Sequence, residues 1–216
     1  MIKIENVDVY GWEAAIRGMR NPLESWGRSD SKGNNIGAND RDLMMRLAKG
    51  GSTHAKYRRM ITVTMDITAP LYMLKEFDTY KVGTVSNSCS TMHKIHAKEF
   101  TLEDFSCEYV VNNLPTKATC YDYYVLLNQT IQALNLAREM FIETKEKIYW
   151  WQMIQLLPSS YNQKRTVMLN YEVLAGIYRD RKNHKLDEWR EFCKWIESLP
   201  MSEIITGGEV NEGQEN

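Results

Sequence analysis

The sequence ITAPLYMLKEFDTYKVGTVSNSCSTM, which covers residues 67–92, determines how the rest of the chain is interpreted. Its first half carries apolar residues at the spacing of one helix face, namely Leu71, Leu74 and Phe77. Pro70 suits the first turn of that helix, which we predict to end near Tyr80. A polar loop over 81–91 follows and carries a single cysteine, Cys89. Because loops on a packed scaffold often carry binding sites, we expect a ligand site in this loop.

The composition is that of an ordinary globular protein. The chain has 216 residues, of which 43% are hydrophobic and 25% are charged, with a formal net charge of −1. That charge gives no electrostatic basis for nucleic-acid binding. The sequence has no apolar run near the roughly 20 residues of a membrane span, no signal-peptide pattern and no CxxC motif. We therefore expect a protein of the reducing cytoplasm with no membrane or nucleic-acid partner.

Apolar periodicity predicts an α+β fold in one domain over 1–206, followed by an acidic flexible tail over 207–216. The predicted strands are 1–9, with a slip near Asn6, then 60–67 and 166–169. The predicted helices are 11–19, 41–49, 92–100, 170–181 and 186–199, with a further short helix that begins at Thr101. The longest helical pattern covers 121–157, and it is either one helix or two helices broken near Glu146.

Two stretches lack such periodicity. Residues 25–39 are rich in Ser, Gly, Asn and Asp, and a loop of this length in a compact domain is usually functional or mobile. Asn39 or Asp40, at its end, can cap the helix that follows. Residues 112–119 contain a proline and are predicted to form a turn.

Several local patterns allow more than one interpretation. Cys89 is either a nucleophile or an inert thiol. Its spacing to His93 and His96 suits three ligands on one helix face, but spacing fixes no fourth ligand, so we predict no metal site. An aromatic run either stacks on a ligand ring or packs in a core or a subunit interface: Tyr149, Trp150 and Trp151. Two basic clusters either bind a phosphate or lie in solvent: Lys56 with Arg58 and Arg59, and Lys164 with Arg165.

The stretch quoted above resembles the flavin-dependent thymidylate synthases. That family carries the pair AP, an apolar helix and then the motif RHRxxSxNExSxR. Here Ala69 and Pro70 are followed by the apolar segment 71–78 and then, without a gap, by 79–91. The family pattern NxRxLxxFLxLR likewise resembles 170–181. The resemblance implies an α+β fold with a central, mostly antiparallel sheet and flanking helices.

The resemblance also implies roles by position. Flavin contacts fall at Thr79, Tyr80, Lys81 and Asn170. Nucleotide contacts fall at Glu76, Asn87, Thr91 and Glu172. Cys89 stands where the family has a serine near the nucleotide base, and it is the candidate catalytic residue. The implied chemistry is reductive methylation of dUMP with FAD, NADPH and methylenetetrahydrofolate, carried out in a homotetramer.

Several of these positions depart from the family pattern. The triplet of arginine, histidine and arginine is replaced by Thr79, Tyr80 and Lys81. The arginine that contacts the nucleotide phosphate is Thr91, and further arginines are replaced by Glu172 and Glu191. Because phosphate binding favours bidentate arginine, and carboxylates repel phosphate, we predict that dUMP is not bound in the family's pose. We therefore expect either a divergent enzyme acting on a pyrimidine nucleotide, or a non-catalytic oligomeric homologue that binds another ligand or a protein partner.

Overall fold

The computed structural model describes residues 2–110 and 122–207. Its helices and strands follow one another along the chain as β1 Lys3–Tyr10, α1 Trp12–Arg20, α2 Ala38–Lys49, β2 Thr62–Pro70, α3 Leu71–Phe77, β3 Val85–Ser88, α4 Thr91–Lys94, α5 Tyr123–Thr144, α6 Lys147–Leu156, β4 Asn162–Asn170, α7 Tyr171–Arg181, α8 Asp187–Glu197 and α9 Glu203–Thr206. Short 3₁₀ helices lie between some of them.

The strands form one four-stranded antiparallel sheet in the order β1-β2-β4-β3, with flanking helices. The predicted fold class is therefore confirmed. In strand β2 the sequence pattern was sufficient to predict the strand, because buried apolar side chains alternate with half-buried polar ones. The slip predicted near Asn6 is also present, since Asn6 has a φ of 52° in the middle of β1.

Two predictions around the central loop were wrong. The predicted loop 81–91 contains the strand β3, whose sequence VSNS has one apolar residue and whose four side chains are all exposed. The helix predicted over 92–100 is only the single turn α4. Ile95 and Phe100 are both buried in one core, and a continuous helix would turn residues five apart toward different faces.

Other element boundaries moved. Strand β4 begins earlier than the predicted 166–169. The prediction was too short because the first half of the strand is polar and shows no apolar alternation. Pro70 ends β2 instead of opening α3, and α3 stops at Phe77. Helix α9 was not predicted, since four residues carry no readable period.

The long helical pattern is two helices. Helix α5 ends before Lys145, which has a φ of 60°, and Glu146 is the N-cap of α6. The predicted turn over 112–119 lies outside the described residues, as does nearly all of the predicted tail.

The chain divides into two compact units. Unit 1 contains Thr68–Lys75 and Ser88–Arg165, and unit 2 contains Ile2–Ile67, Glu76–Asn87 and the chain from Thr166 onward. The core of unit 1 is built mainly by α5, α6 and the segment before them, with the buried residues Ile95, Phe100, Phe105, Ile131, Leu134, Ala137 and Met153. The single domain expected over 1–206 stays a prediction.

The core of unit 2 is rich in aromatic rings. Phe77 stacks on Trp189 with ring centroids 6.1 Å apart, and Phe192 meets both rings edge-on. Trp12 and Tyr171 form a second edge-to-face pair at 5.5 Å. All five side chains are buried, so these rings hold α1, α7 and α8 in place.

A buried ion pair fixes the loop between α1 and α2. The Arg20 Nε donates to Asp40 Oδ1 at 2.6 Å, and both side chains are almost wholly buried. The hydroxyls of Ser29 and Ser31 donate to the other Asp40 oxygen, each at 2.7 Å. Burial alone would raise the pKa of Asp40, but the hydrogen bonds from Ser31, Ser29 and Arg20 outweigh it and lower that pKa.

The predicted helix cap was wrong. Helix α2 begins at Ala38 after Gly37, so Asp40 lies inside the first turn and faces the core. Asp30 supplies the capping acceptors instead, because its carboxylate accepts from the backbone N–H groups of Asn39 and Asp40 at 2.9 and 3.1 Å.

We expect Arg20→Ala to lower the free energy of unfolding by about 3–5 kcal/mol, because it leaves the Asp40 carboxylate buried without its cation. The matched control is Arg46→Ala, which removes an exposed pair with Asp42 and costs about 0–0.5 kcal/mol. Urea titration measures both values.

The pH dependence adds a second readout. Because the pKa of Asp40 is lower in the folded protein, its stabilisation is present above about pH 4 and is lost as the pH falls through the folded value. Asp40→Asn should therefore cost most at neutral pH and least in acid. A pH-independent cost would contradict this assignment.

Candidate functional site

Five side chains of unit 2 form a polar and aromatic group that we call the Glu76 cluster. Its members are Glu76, Tyr80, Arg181, His184 and Trp189. Glu76 lies in the last turn of α3, and Arg181 is the last residue of α7. Trp189 stands in the first turn of α8, so the ends of three helices converge on the cluster.

The Glu76 carboxylate is the centre of the cluster. Its Oε2 accepts from Arg181 Nη1 at 2.8 Å and from Trp189 Nε1 at 2.9 Å. The Arg181 Nε donates to the Tyr80 hydroxyl at 3.0 Å, and the guanidinium lies 4.8 Å from the centroid of the Trp189 ring. The positive charge of Arg181 is therefore neutralised by Glu76 and covered by aromatic rings. It is not a free clamp for a phosphate.

The segment after Glu76 packs against the start of α7. Asn170 caps α7, because its side-chain oxygen accepts from the N–H groups of Glu172 and Val173 at 3.1 and 3.0 Å. A Cβ built on Gly83, which has a φ of +81°, would lie only 2.8 Å from Asn170 Nδ2. The turn that follows Lys81 thus approaches Asn170 closely, and it needs glycine to do so.

Glu172 is neutralised within unit 2. Arg58 Nη2 lies 2.7 Å from Glu172 Oε2, and Arg58 Nη1 donates to the carbonyl of Ile204 at 3.0 Å. Arg58 is buried, so this member of the basic cluster before β2 does not present its charge to a ligand. The other acidic replacement, Glu191, accepts from the backbone N–H of Ile2 at 3.2 Å.

Cys89 and Thr91 lie together in unit 1, on the wall of a cavity of about 340 Å³ that we call the Cys89 cavity. The backbone of Cys89 is tied to β4, because its N–H donates to the Lys164 carbonyl at 2.9 Å. The Gln163 side chain donates to the Cys89 carbonyl at 2.8 Å. These bonds fix the position of the loop residue that precedes α4.

Three lysines line the Cys89 cavity: Lys94, Lys98 and Lys164. Lys98 pairs with Asp104, and this hydrogen bond raises the pKa of the Lys98 ammonium group. Burial is the main cause of the raised pKa of Tyr161, with the Asp104 charge adding to it, so the phenol stays protonated. Two carboxylates, those of Glu103 and Asp104, also line the cavity, so three ammonium groups face two acids. The excess positive charge and the phenol donor suit an anionic ligand.

The remaining sequence candidates have structural partners. His93 Nδ1 lies 2.8 Å from the Ser90 hydroxyl, and the His96 ring packs on Phe141. Over residues 2–110 and 122–207, no group of His, Cys, Asp or Glu side chains is arranged to hold a metal ion. Trp150 packs against the core of unit 1 and donates to the Met92 carbonyl at 3.1 Å, which favours the packing interpretation of the aromatic run.

Known proteins were compared with this chain. No protein-family model matches the sequence, and no curated protein matches it. The structure is similar to flavin-dependent thymidylate synthase ThyX from Helicobacter pylori complexed with FAD and dUMP, with 17% identity and a TM-score of 0.66 over 94% of this chain and 96% of that chain. A second structure of ThyX from that organism with FAD and dUMP gives 16% identity and a TM-score of 0.67 over 97% and 100%.

A UMP/dUMP methylase, PolB from Streptomyces cacaoi bound with 5-Br dUMP, gives 14% identity and a TM-score of 0.61 over 95% of this chain and 94% of that chain. The chain has the fold of the flavin-dependent thymidylate synthases. The resemblance read from the sequence is thus confirmed for the fold.

The structure groups the predicted site residues into two sets. Glu76, Tyr80 and the segment beside Asn170 lie in unit 2, whereas Cys89 and Thr91 lie in unit 1. Thr79 donates its hydroxyl to the Glu76 carbonyl at 2.7 Å, so it ends α3. Lys81 and Asn87 are exposed, and Glu172 is paired as described above. The individual site roles stay predictions.

Sequence reasoning named Lys164 as a candidate phosphate ligand but missed Lys94, Lys98 and the Tyr161 phenol of the Cys89 cavity. Lys94 and Lys98 are four residues apart, and the helix expected over 92–100 would have placed them on one face. That signal was available. Tyr161 carried no such signal, since it precedes β4 and its backbone bridges to Phe105, which is distant along the chain.

We expect Arg181→Ala to lower the free energy of unfolding by about 1–3 kcal/mol, because Glu76 then keeps a single donor in a partly buried place. The matched control is Arg179→Ala, which removes an exposed pair with the adjacent Asp180 and should cost about 0–0.5 kcal/mol. Urea titration compares the two variants, and equal losses would show that the Glu76 cluster adds nothing to the fold.

Proposed function

We propose that this protein binds a pyrimidine nucleotide through its phosphate in the Cys89 cavity, and that it does not carry out ordinary reductive methylation of dUMP. One observation carries the proposal. Cys89 and Thr91, which the motif match assigns to the nucleotide, share a cavity with Lys94 and Lys164. Lysine binds phosphate as a point charge, so it supplies attraction where the family uses arginine.

The side chains of the cavity suit different parts of such a ligand. The ammonium group of Lys94 forms no ion pair with any described residue, so its charge is available to a phosphate. The Thr91 and Tyr161 hydroxyls can donate further hydrogen bonds. The FAD and dUMP in the ThyX structures, and the 5-Br dUMP in PolB, support a nucleotide ligand for a chain of the same fold.

The Glu76 cluster argues against the ordinary methylation reaction. The positions of the family's triplet are occupied by Thr79, Tyr80 and Lys81, and Arg181 nearby is already neutralised. Only Lys81 keeps a charge that an incoming phosphate could use. A rearranged site of this kind favours altered chemistry or none.

FAD fits the described residues poorly. Its diphosphate would meet one exposed ammonium group, that of Lys81, while the oxygen of Asn170 is used by two backbone N–H groups. FAD, when bound, supplies hydride chemistry. The proposed nucleotide binding requires neither FAD nor NADPH and methylenetetrahydrofolate.

A second function is a non-catalytic, oligomeric binding protein. Helices α5 and α6 expose large apolar side chains, which support self-association. They include Val125, Leu126, Leu136, Ile148 and Leu156. The homotetramer stays a prediction, and light scattering would measure the oligomeric state directly. The cytoplasmic location also stays a prediction. Among the described helices, none is both long and apolar enough to cross a membrane.

Removal of one ammonium group tests the binding proposal. We expect Lys94→Ala to weaken dUMP or UMP binding by about tenfold, the effect of one charge-assisted contact of roughly 1.5 kcal/mol. Lys75→Ala, an exposed lysine on α3, is the control and should bind as the parent protein does. Isothermal titration calorimetry gives the constants. If Lys94→Ala and Lys75→Ala bind the nucleotide with equal affinity, the proposal that its phosphate binds in the Cys89 cavity is wrong.

Two assays test the chemical half of the proposal. We expect the purified protein to be colourless, to take up little added FAD and to fail to rescue a thymidylate auxotroph. The absorbance spectrum and the growth assay read these outcomes, with the H. pylori enzyme as the positive control. Growth without thymidine would contradict the proposal that the protein does not methylate dUMP. The rescue assay with Cys89→Ser would then show whether the thiol takes part in that reaction.

A further inference from the structure

The polar loop between α1 and α2 has no part in the proposed function. It contains a 3₁₀ turn at Trp26–Arg28 and a small hairpin in which Lys32 and Asn35 bridge their backbones. The sequence marked this loop as functional or mobile because of its length and composition. In the structure it is held in a defined shape.

The buried Arg20–Asp40 pair fixes that shape. Asp40 Oδ2 accepts from the hydroxyls of Ser29 and Ser31 and from the backbone N–H groups of Asp30 and Ser31. A loop tied at several points to one buried carboxylate pays little entropy when it receives a ligand. The loop is therefore preorganised.

The loop and α1 enclose a cavity of about 400 Å³ within unit 2, which we call the Trp26 cavity. A larger cavity of about 950 Å³ shares Glu13, Arg17 and Gly33 with it. Both volumes fall in the range of small-molecule sites, which runs from roughly 300 to 1,000 Å³.

Two cations on the wall of the Trp26 cavity have no acidic partner within the described part of the chain. Arg17 and Lys32 form no ion pair and no side-chain hydrogen bond among the residues that the structure describes. Arg20, also on the wall, is different because Asp40 neutralises it. The cavity thus presents two unneutralised positive charges and one carboxylate, that of Glu13.

Trp26 supplies a flat apolar surface beside these charges. Trp26 is 48% exposed, although tryptophan is on average a highly buried residue. The indole N–H already donates to Asn21 Oδ1 at 2.9 Å. What it still offers to a ligand is the ring itself, a stacking surface for a flat ring.

We propose that the Trp26 cavity is a second ligand site, independent of the Cys89 cavity, for a nucleoside monophosphate. The base stacks on Trp26, the phosphate binds Arg17 and Lys32, and Glu13 accepts a hydrogen bond from a sugar hydroxyl or a base amino group. Arginine beside an aromatic ring is a combination that suits a phosphate joined to a base.

The experiment uses AMP as the probe and 5-fluorotryptophan-labelled full-length protein. Fluorine NMR then gives a separate signal for Trp26, assigned through Trp26→Phe. We expect AMP to shift that signal in a saturable way. Adenosine, which lacks the phosphate, and inorganic phosphate, which lacks the ring, should each bind at least about tenfold more weakly.

Variants separate this site from the one proposed above. Arg17→Ala should weaken AMP binding, read at the Trp26 signal, by at least about tenfold, and Arg46→Ala, an exposed arginine on α2, should leave it unchanged. Lys94→Ala should also leave it unchanged, because Lys94 is not among the residues that line the Trp26 cavity.

Three results would overturn the second site: no Trp26 shift with AMP up to about 10 mM, equal binding in Arg17→Ala, or adenosine binding as well as AMP. A loss of the Trp26 shift in Lys94→Ala would count against it as well, since one site would then explain both observations. Failure of dUMP binding alone would leave this inference standing.

Discussion

A carboxylate that is removed from water needs protein donors in place of the hydrogen bonds that water supplied, and this constraint organises the Glu76 cluster. Glu76 takes Arg181 and Trp189 as donors, and these residues lie on α7 and α8. The same bonds fix the guanidinium against the indole, so one acidic side chain sets the positions of two helix ends. A glutamine could accept the same hydrogen bonds but would leave the Arg181 charge without a counterion. The acid at position 76 therefore converts what could be a ligand-facing arginine into an internal one.

The same rule operates elsewhere in unit 2. Glu172 is compensated by the buried Arg58, and Asp40 by the buried Arg20. The acidic replacements thus do not stand as bare negative charges in an open site, which the sequence comparison alone would suggest. Glu76 and Glu172 each neutralise one arginine, whereas Glu191 accepts from the backbone N–H of Ile2. A phosphate that approached unit 2 at the Glu76 cluster would meet Arg181 already paired with Glu76. Of the three positions of the family's triplet, only Lys81 carries a positive charge.

Whether a structural feature could be predicted from the sequence depends on how far apart along the chain its interacting residues lie. Some local signals were sufficient, since the alternation of β2 and the slip at Asn6 were readable from neighbouring residues. Others were not, because the cap of α2 and the helix expected over 92–100 were both wrong. Polar strands could not be predicted from neighbouring residues either, because β3 and the first half of β4 take their conformation from pairing with other strands. The hydrogen-bond partners of Glu76 could not be predicted from the sequence. Arg181 is 105 residues away along the chain, and no period or spacing connects the two. The fold-level resemblance survived because it rested on a long ordered pattern, whereas the role of each site residue depended on contacts that the pattern does not encode.

The cations that line the Cys89 cavity are lysines, while Thr91 stands at the position of the family's phosphate-binding arginine. A guanidinium binds two phosphate oxygens in a fixed plane, whereas an ammonium group attracts the phosphate from many directions. Under the proposed function, the ammonium group of Lys94 would attract an anion without fixing its orientation. A methylation reaction needs its base held within about 0.5 Å of the productive geometry. Binding can therefore outlast catalysis when these residues change. The geometry of unit 1 is consistent with that order of loss, because the backbone that carries Cys89 is firmly bonded to β4 while the charges around it sit on flexible side chains.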